Sequence, residues 1–184
     1  MTDPWPWPAP DDDGGADHLV AGTKLPALSL PSSAGVAIDL SRLAGRVVIF
    51  AYPYTGAPGQ PNPPGWDDIA GAHGSTPEAE GFRDCMPLFA VNGVKVFGLS
   101  GQESAYQQAF ARRAALTFPL LSDKGWRFAD ALSLPRFEAG GVTFLKRLTI
   151  FAEDGRITAC IYPVHPPDVH AHEVLEQLTG ENSR

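Results

Sequence analysis

Residues 46–53, Arg-Val-Val-Ile-Phe-Ala-Tyr-Pro, leave few choices for the architecture around them. An unbroken β-branched and aromatic run ended by proline has no face to give to water. It predicts a central strand covered on both sides. The rest of the chain supplies the cover. "VKVFGLS" at 94–100 is a second buried strand and "FPLLSD" at 118–123 holds a short third one. Between them lie two helical patterns. In the first, Ala79, Phe82, Met86 and Phe89 share one face before Asn92-Gly93 stops the helix, and Pro87 predicts a kink within it. The second is "ESAYQQAFARRAAL".

Further along, "WRFADAL" predicts a short helix, "RLTIFAEDGRITACIYPV" a hairpin turning at Asp154-Gly155, and "VHAHEVLEQL" a closing helix. Near the start, "LPALSLPSSAGVAIDLSRLAG" alternates on both sides of Ser33-Ala34-Gly35, as a short hairpin does. Strand–helix–strand order implies parallel pairing, and the late hairpin adds antiparallel strands. The expected fold is α/β and thioredoxin-like, a mixed central sheet flanked by helices, with an N-terminal β-hairpin.

The 184 residues suffice for one domain with a full core, expected over 22–184. Residues 1–21 combine proline, acidic residues and glycine without periodicity, and are expected to form a disordered or loosely docked arm. Trp5 and Trp7 are its candidates for docking on the body or a partner. A formal net charge of −7 leaves no basic stripe, which argues against nucleic acid as a partner. No apolar run reaches membrane-spanning length and the N-terminus lacks a signal-peptide pattern, so a cytoplasmic location is expected. Two cysteines, Cys85 and Cys160, are too few for a disulfide framework and lack CxxC spacing. Cys160 lies in an apolar strand-like run and reads as a packing residue.

The segment between strand and first helix carries the chemical interest. Residues 54–74 form a loop long enough to suggest function on length alone. It ends in "GAHGSTPEAEGFRD", residues 71–84, where a strand feeds a helix N-terminus and free N–H groups favour an anion at residue 75. Ser75 holds that position. A thiolate there would be reactive at neutral pH, whereas a serine hydroxyl needs an adjacent base. His73 is two residues upstream, and a lone loop histidine is ordinarily solvated. Taken alone, Ser75-Thr76-Pro77-Glu78 matches a capping box, which makes Ser75 a helix cap.

"GSTPEAEGFRD" resembles the G-C-T-x-x-x-x-x-F-R-D signature of peroxiredoxins of the bacterioferritin-comigratory (Q) type, in the alkyl hydroperoxide reductase/thiol-specific antioxidant superfamily. "RVVIFAYP" looks like the strand before the active-site loop, and "FPLLSD" is similar to a later family segment. "LKRLTIFAEDGRI" resembles the strand bearing the active-site arginine, and "YPYTGAPGQPNPPGWDDIAGAHG" an extended loop of one branch. The resemblance covers most of residues 22–180. It implies that Ser75 stands where the peroxidatic cysteine belongs, with Arg147 as the cation beside it. Glu78 matches a polar helix residue near the site, and Pro53 the proline that shields the sulfur. The usual Thr or Ser three residues before the cysteine is replaced by Ala72, with Thr55 as its stand-in. Glu80 occupies the position where some relatives carry a resolving cysteine, and Cys85 is the remaining candidate on that helix.

The implied activity is an antioxidant thiol-dependent peroxidase reducing hydrogen peroxide or organic hydroperoxides. An external thiol reductant (thioredoxin, glutaredoxin or glutathione-like) is implied, with no cofactor, and a homodimer is possible. With serine at 75 the chain is expected to be inactive, as a deliberate serine-for-cysteine form of a working enzyme. The alternatives are a natural, non-catalytic thioredoxin-fold relative acting as a binding or interaction module, with the long loop and Trp66 as its docking surface. Metal binding by Asp168, His170 and His172 is a weaker pattern than an exposed helix start.

Overall fold

A computed structural model describes residues 4–181. Residues 1–3 of the expected arm and 182–184 of the expected domain lie outside the described residues. The central sheet has five strands in the order β5-β4-β3-β8-β9: β3 (Arg46–Ala51), β4 (Val94–Ser100), β5 (Leu120–Ser122), β8 (Leu148–Glu153) and β9 (Arg156–Ile161). β3, β4 and β5 run parallel, while β8 pairs antiparallel with both β3 and β9. The small N-terminal hairpin, β1 (Leu30–Pro31) with β2 (Ala37–Ile38), flanks β5 through a bridge from Ser32 to Leu121.

Alternation along the strands sends side chains to two cores. Val47, Ile49, Ala51, Leu99 and Ile150 join one, together with Phe128 and Ala129 of α3 (Arg127–Ala131). Val48, Phe50, Tyr52, Val96 and Phe151 join the other, covered by α1 (Ser75–Val91), α2 (Ser104–Arg113) and α4 (His170–Glu181). The continuous apolar run in β3 is therefore explained, because both faces of that strand are buried.

α1 is anchored by its aromatic face. Phe82 stacks on Phe50 with centroids 4.3 Å apart, and Phe89 continues the stripe. Pro87 lies within the helix and does not end it before Val91. One hairpin was not foreseen: β6 (Arg136–Ala139) pairs antiparallel with β7 (Val142–Leu145) across Gly140-Gly141, both at positive φ. Its signal, two short alternating runs around Gly-Gly, was present in "RFEAGGVTFL".

Residues 4–21 lie against the body. Ala16 and Leu19 are buried in the first core, and Asp13 pairs with Lys146 at 2.6 Å and accepts from the Tyr162 hydroxyl at 2.6 Å. No described helix is long and apolar enough to cross a membrane.

Because Phe82 and Phe50 form the contact that seats α1, Phe82→Ala is expected to cost about 3–5 kcal/mol of stability. Urea denaturation followed by far-UV circular dichroism measures it.

Candidate active site

The residue before α1 sets the geometry. Gly74 caps the helix at φ 111° and offers no side-chain bond. A Cβ there would come within 2.2 Å of Pro167 and 2.8 Å of Trp5, so only glycine fits between them. Ser75 is thus the first helical residue and not the cap. Glu78 donates its backbone N–H to the Gly74 carbonyl at 3.0 Å, but its carboxylate points elsewhere. The expected capping box does not form, because a stronger partner claims the Glu78 side chain.

That partner is Arg147, which sits between β7 and β8. Its Nη1 donates to Glu78 Oε2, with both side chains almost fully buried. Its Nη2 donates to Ser75 Oγ at 3.1 Å and to the His73 carbonyl at 3.2 Å. The register of β3 on β8 explains the meeting. Ala51 pairs with Leu148, so Arg147 lies beside the exit of β3, where the loop toward α1 begins.

The electrostatics are demanding. Burial pushes the Glu78 carboxyl above the usual range, against the opposing pull of Arg147 and then His170. Among the described residues, Glu78 Oε1 and Arg147 Nε are buried without a hydrogen-bond partner. Ser75 and Thr76, at the first two helical positions, have no intrahelical acceptor for their N–H groups, and Pro77 has no N–H. A guanidinium and the positive helix end therefore converge on the side-chain atom of residue 75.

Ser75 is itself only 2% exposed and forms part of the floor of a chamber of about 330 Å³. Trp5, Trp7, Tyr54, Trp66 and His73 also line it. His73 is not a solvated loop residue: its ring stacks on Trp7 at 3.6 Å, and its Nε2 bonds Asp67 Oδ1 at 2.8 Å. Trp66 is buried as well, packed edge-on to Tyr54 and Phe144, which removes it as an exposed docking anchor. Sequence reasoning assigned neither Tyr54 nor the arm tryptophans to this site. Isolated aromatics in a loop and a tail carry no periodic signal.

The other expected residues sit differently. Pro53 is buried and lines a neighbouring apolar cleft of about 660 Å³ with Tyr54, Pro63, Pro64, Tyr106 and Phe144. Thr55 is buried, but its hydroxyl and N–H both donate to Gln102 Oε1 at 3.1 Å, so its bonding is committed there. Cys85 packs toward α4 with Sγ 3.8 Å from His172 Nε2, and burial then Asp84 push its thiol pKa up. Cys160 lies on β9 and burial pushes its thiol to about 11. Neither carries the features of a reactive thiolate. His170 is buried with one ring nitrogen on Thr149 at 2.7 Å and the other on Glu173 at 2.9 Å, which commits both to protein partners.

Comparison with known proteins identifies the family. The Redoxin family model matches residues 20–178. Peroxiredoxin Q, chloroplastic, of Sedum lineare is 29% identical over 162 residues, covering 87% of this chain and 78% of its own length. The bacterioferritin comigratory protein of Xanthomonas campestris, described for its alkyl peroxide reduction activity, aligns with a TM-score of 0.70 at 26% identity. That match covers 88% of this chain and 98% of the other. Peroxidoxin BcpB from Mycobacterium tuberculosis aligns equally well, at TM-score 0.70 and 26% identity over 89% and 98% of the two chains. By its thioredoxin-like sheet, that family match and these relatives, the chain belongs to the Redoxin family, as a thiol-peroxidase-type peroxiredoxin of the Q and bacterioferritin-comigratory kind.

Proposed function

We propose that Ser75 stands in the place of the peroxidatic sulfur, in a scaffold built to reduce hydrogen peroxide or organic hydroperoxides with thiol electrons. One observation carries this reading: the buried Arg147 guanidinium donates to the side-chain oxygen of residue 75 at the N-terminus of α1. Two sources of positive potential meet at one atom, and both favour an anion there. Sulfur exploits such a field by ionising near neutral pH. A serine hydroxyl does not ionise under the same influence, so this chain as written does not run the cycle.

With cysteine at 75 the chemistry follows directly. The thiolate attacks one oxygen of the peroxide, an S–O bond forms and the O–O bond breaks. The sulfur becomes a sulfenic acid, and the departing oxygen leaves as alcohol or water after taking a proton. Arg147 and the free N–H groups of α1 stabilise the charge on that oxygen. An external thiol, of the thioredoxin, glutaredoxin or glutathione class, then condenses with the sulfenic acid to form a mixed disulfide as water leaves. A second thiol of the reductant attacks that disulfide, releasing the enzyme thiolate and an oxidised reductant disulfide. The alkyl peroxide reduction described for the Xanthomonas relative supports the substrate class.

The serine is read as a deliberate replacement that holds the reduced geometry. A natural relative that lost the sulfur and kept a binding role is the second reading. What favours it is that Glu80 replaces the nearest resolving position, while Cys85 is buried against α4. The codon for residue 75 in the source gene separates the two.

Ser75→Cys is expected to consume peroxide in the presence of dithiothreitol where the parent chain does not. No gain with either hydrogen peroxide or an organic hydroperoxide sinks the peroxidase reading. In iodoacetamide labelling across pH, the introduced thiol should react with a midpoint below the ordinary cysteine value of about 8.5. Cys85 and Cys160, both shifted upward, should label slowly at neutral pH. In the Ser75→Cys background, Arg147→Met is expected to lower kcat/KM by about 10²–10³. Glu78→Gln strands the Arg147 charge without its partner, and should cost about 3–5 kcal/mol in urea denaturation.

A further inference from the structure

The Redoxin match begins at residue 20, yet the chamber at Ser75 is walled in part by residues that precede it. Trp5 and Trp7 line it alongside Tyr54 and Trp66. The arm that carries them alternates: Trp5, Trp7 and Pro10 are half-buried, whereas Pro4, Pro6, Pro8 and Ala9 are exposed. It is a strap with one side turned inward, bent at Trp7. Specific contacts pin it. Trp7 stacks face to face on His73, with an interplanar angle of 7°. Trp5 presses against Gly74, the residue that caps α1. Asp13 bonds Lys146 and Tyr162, and Ala16 and Leu19 enter the core behind it.

We propose that Trp5 and Trp7 are specificity-determining residues of this site, holding the organic group of a bulky, uncharged hydroperoxide against their rings while its O–O group lies at residue 75. The inference rests on the peroxidase reading for its chemistry and on the arm for its selectivity. A chamber of about 330 Å³ is far larger than hydrogen peroxide needs, given that a water molecule's share of liquid volume is about 30 Å³. It falls at the lower end of the range for small organic ligands. Aromatic rings supply large rigid contact area, and four such side chains line this one hollow. Its polar end is the α1 N-terminus and the hydroxyl that accepts from Arg147, where a peroxide oxygen gains and an alkyl group does not. His73, the one histidine in a lining without Lys or Arg, is already engaged by Asp67 and Trp7, which leaves the walls without a free cation for a charged tail.

Two measurements test the proposal, the first independent of turnover. The chain as written is titrated by calorimetry with 2-phenyl-2-propanol, the alcohol product of cumene hydroperoxide. Saturable binding is expected, about tenfold weaker in Trp7→Ala and within about threefold of the parent in Trp7→Phe, which keeps a ring to stack. Absence of saturable binding, or equal affinity in Trp7→Ala, overturns the assignment. In the second measurement the same substitutions are placed in Ser75→Cys. kcat/KM for cumene hydroperoxide should fall about tenfold in Trp7→Ala, chiefly through KM, and at least about threefold more than kcat/KM for hydrogen peroxide. Equal losses on both peroxides, or none on either, overturn it. If Ser75→Cys reduces no peroxide at all, the peroxidase reading fails, and with it the substrate assigned here, while the alcohol titration still decides whether the arm builds a ligand pocket.

Discussion

Arg147 and Glu78 place two opposite charges where water does not reach, and much of the site's geometry follows from the need to make that arrangement tolerable. Removing such groups from water costs several kcal/mol per ion unless geometry and hydrogen bonds compensate. The compensation here is spread over three parts of the chain. Glu78 comes from the first turn of α1, Arg147 from the residue just before β8, and the remaining guanidinium contacts are the His73 carbonyl and the Ser75 hydroxyl. Loop end, helix start and strand start are thereby tied to one planar group. A shift in any of them leaves a buried charge without its partner.

The sheet makes this knot possible before any side chain contributes. β3 is parallel to β4 and antiparallel to β8, so its C-terminal end lies next to the N-terminal end of β8. The long loop leaves from the first and Arg147 stands at the second. α1 returns along the sheet with Phe82 on Phe50, which brings its N-terminus back to the same end. Gly74 then allows Pro167 and Trp5 to close in from the other side. The helix dipole, the cation and the aromatic wall meet because the topology leaves them one place to meet.

How much of this was legible varied with the kind of signal. Strands buried on both faces and amphipathic helices leave periodic patterns, and the five-stranded mixed sheet follows from them. The β6–β7 hairpin is short and half-exposed, so its alternation was weak, although Gly140-Gly141 marked its turn. Ser-x-x-Glu matched a capping box, but local pattern does not register a buried arginine 69 residues further on, which claims the Glu78 carboxylate. Arg147 entered through family resemblance, and no local rule would have chosen it. Trp5, Trp7, His73 and Trp66 were hardest, since an aromatic residue in a loop becomes a wall only through contacts that sequence spacing does not encode. Composition gives no docking signal in residues 4–21 for the same reason: Trp7 on His73 and Asp13 on Lys146 are single long-range contacts without a period.

The identity of residue 75 also changes the charge balance of the knot. With serine, Arg147 has one ionisable partner at its guanidinium, and Glu78 carries the whole burden of neutralising it while burial pushes its own pKa upward. Under the proposed reading, a thiolate at 75 would share the guanidinium, with Nη1 serving the carboxylate and Nη2 the sulfur. Each anion would then raise the cost of ionising the other, because like charges around one cation compete for it. The α1 N-terminus relieves that competition for the sulfur more than for Glu78, which lies three residues further along the helix. The aromatic chamber adds to the same balance by limiting water at residue 75, which strengthens both attraction and repulsion there. A neutral hydroxyl accepts the Nη2 bond and makes none of these demands, so under the same reading serine would keep the geometry of the site without the reactivity of a thiolate.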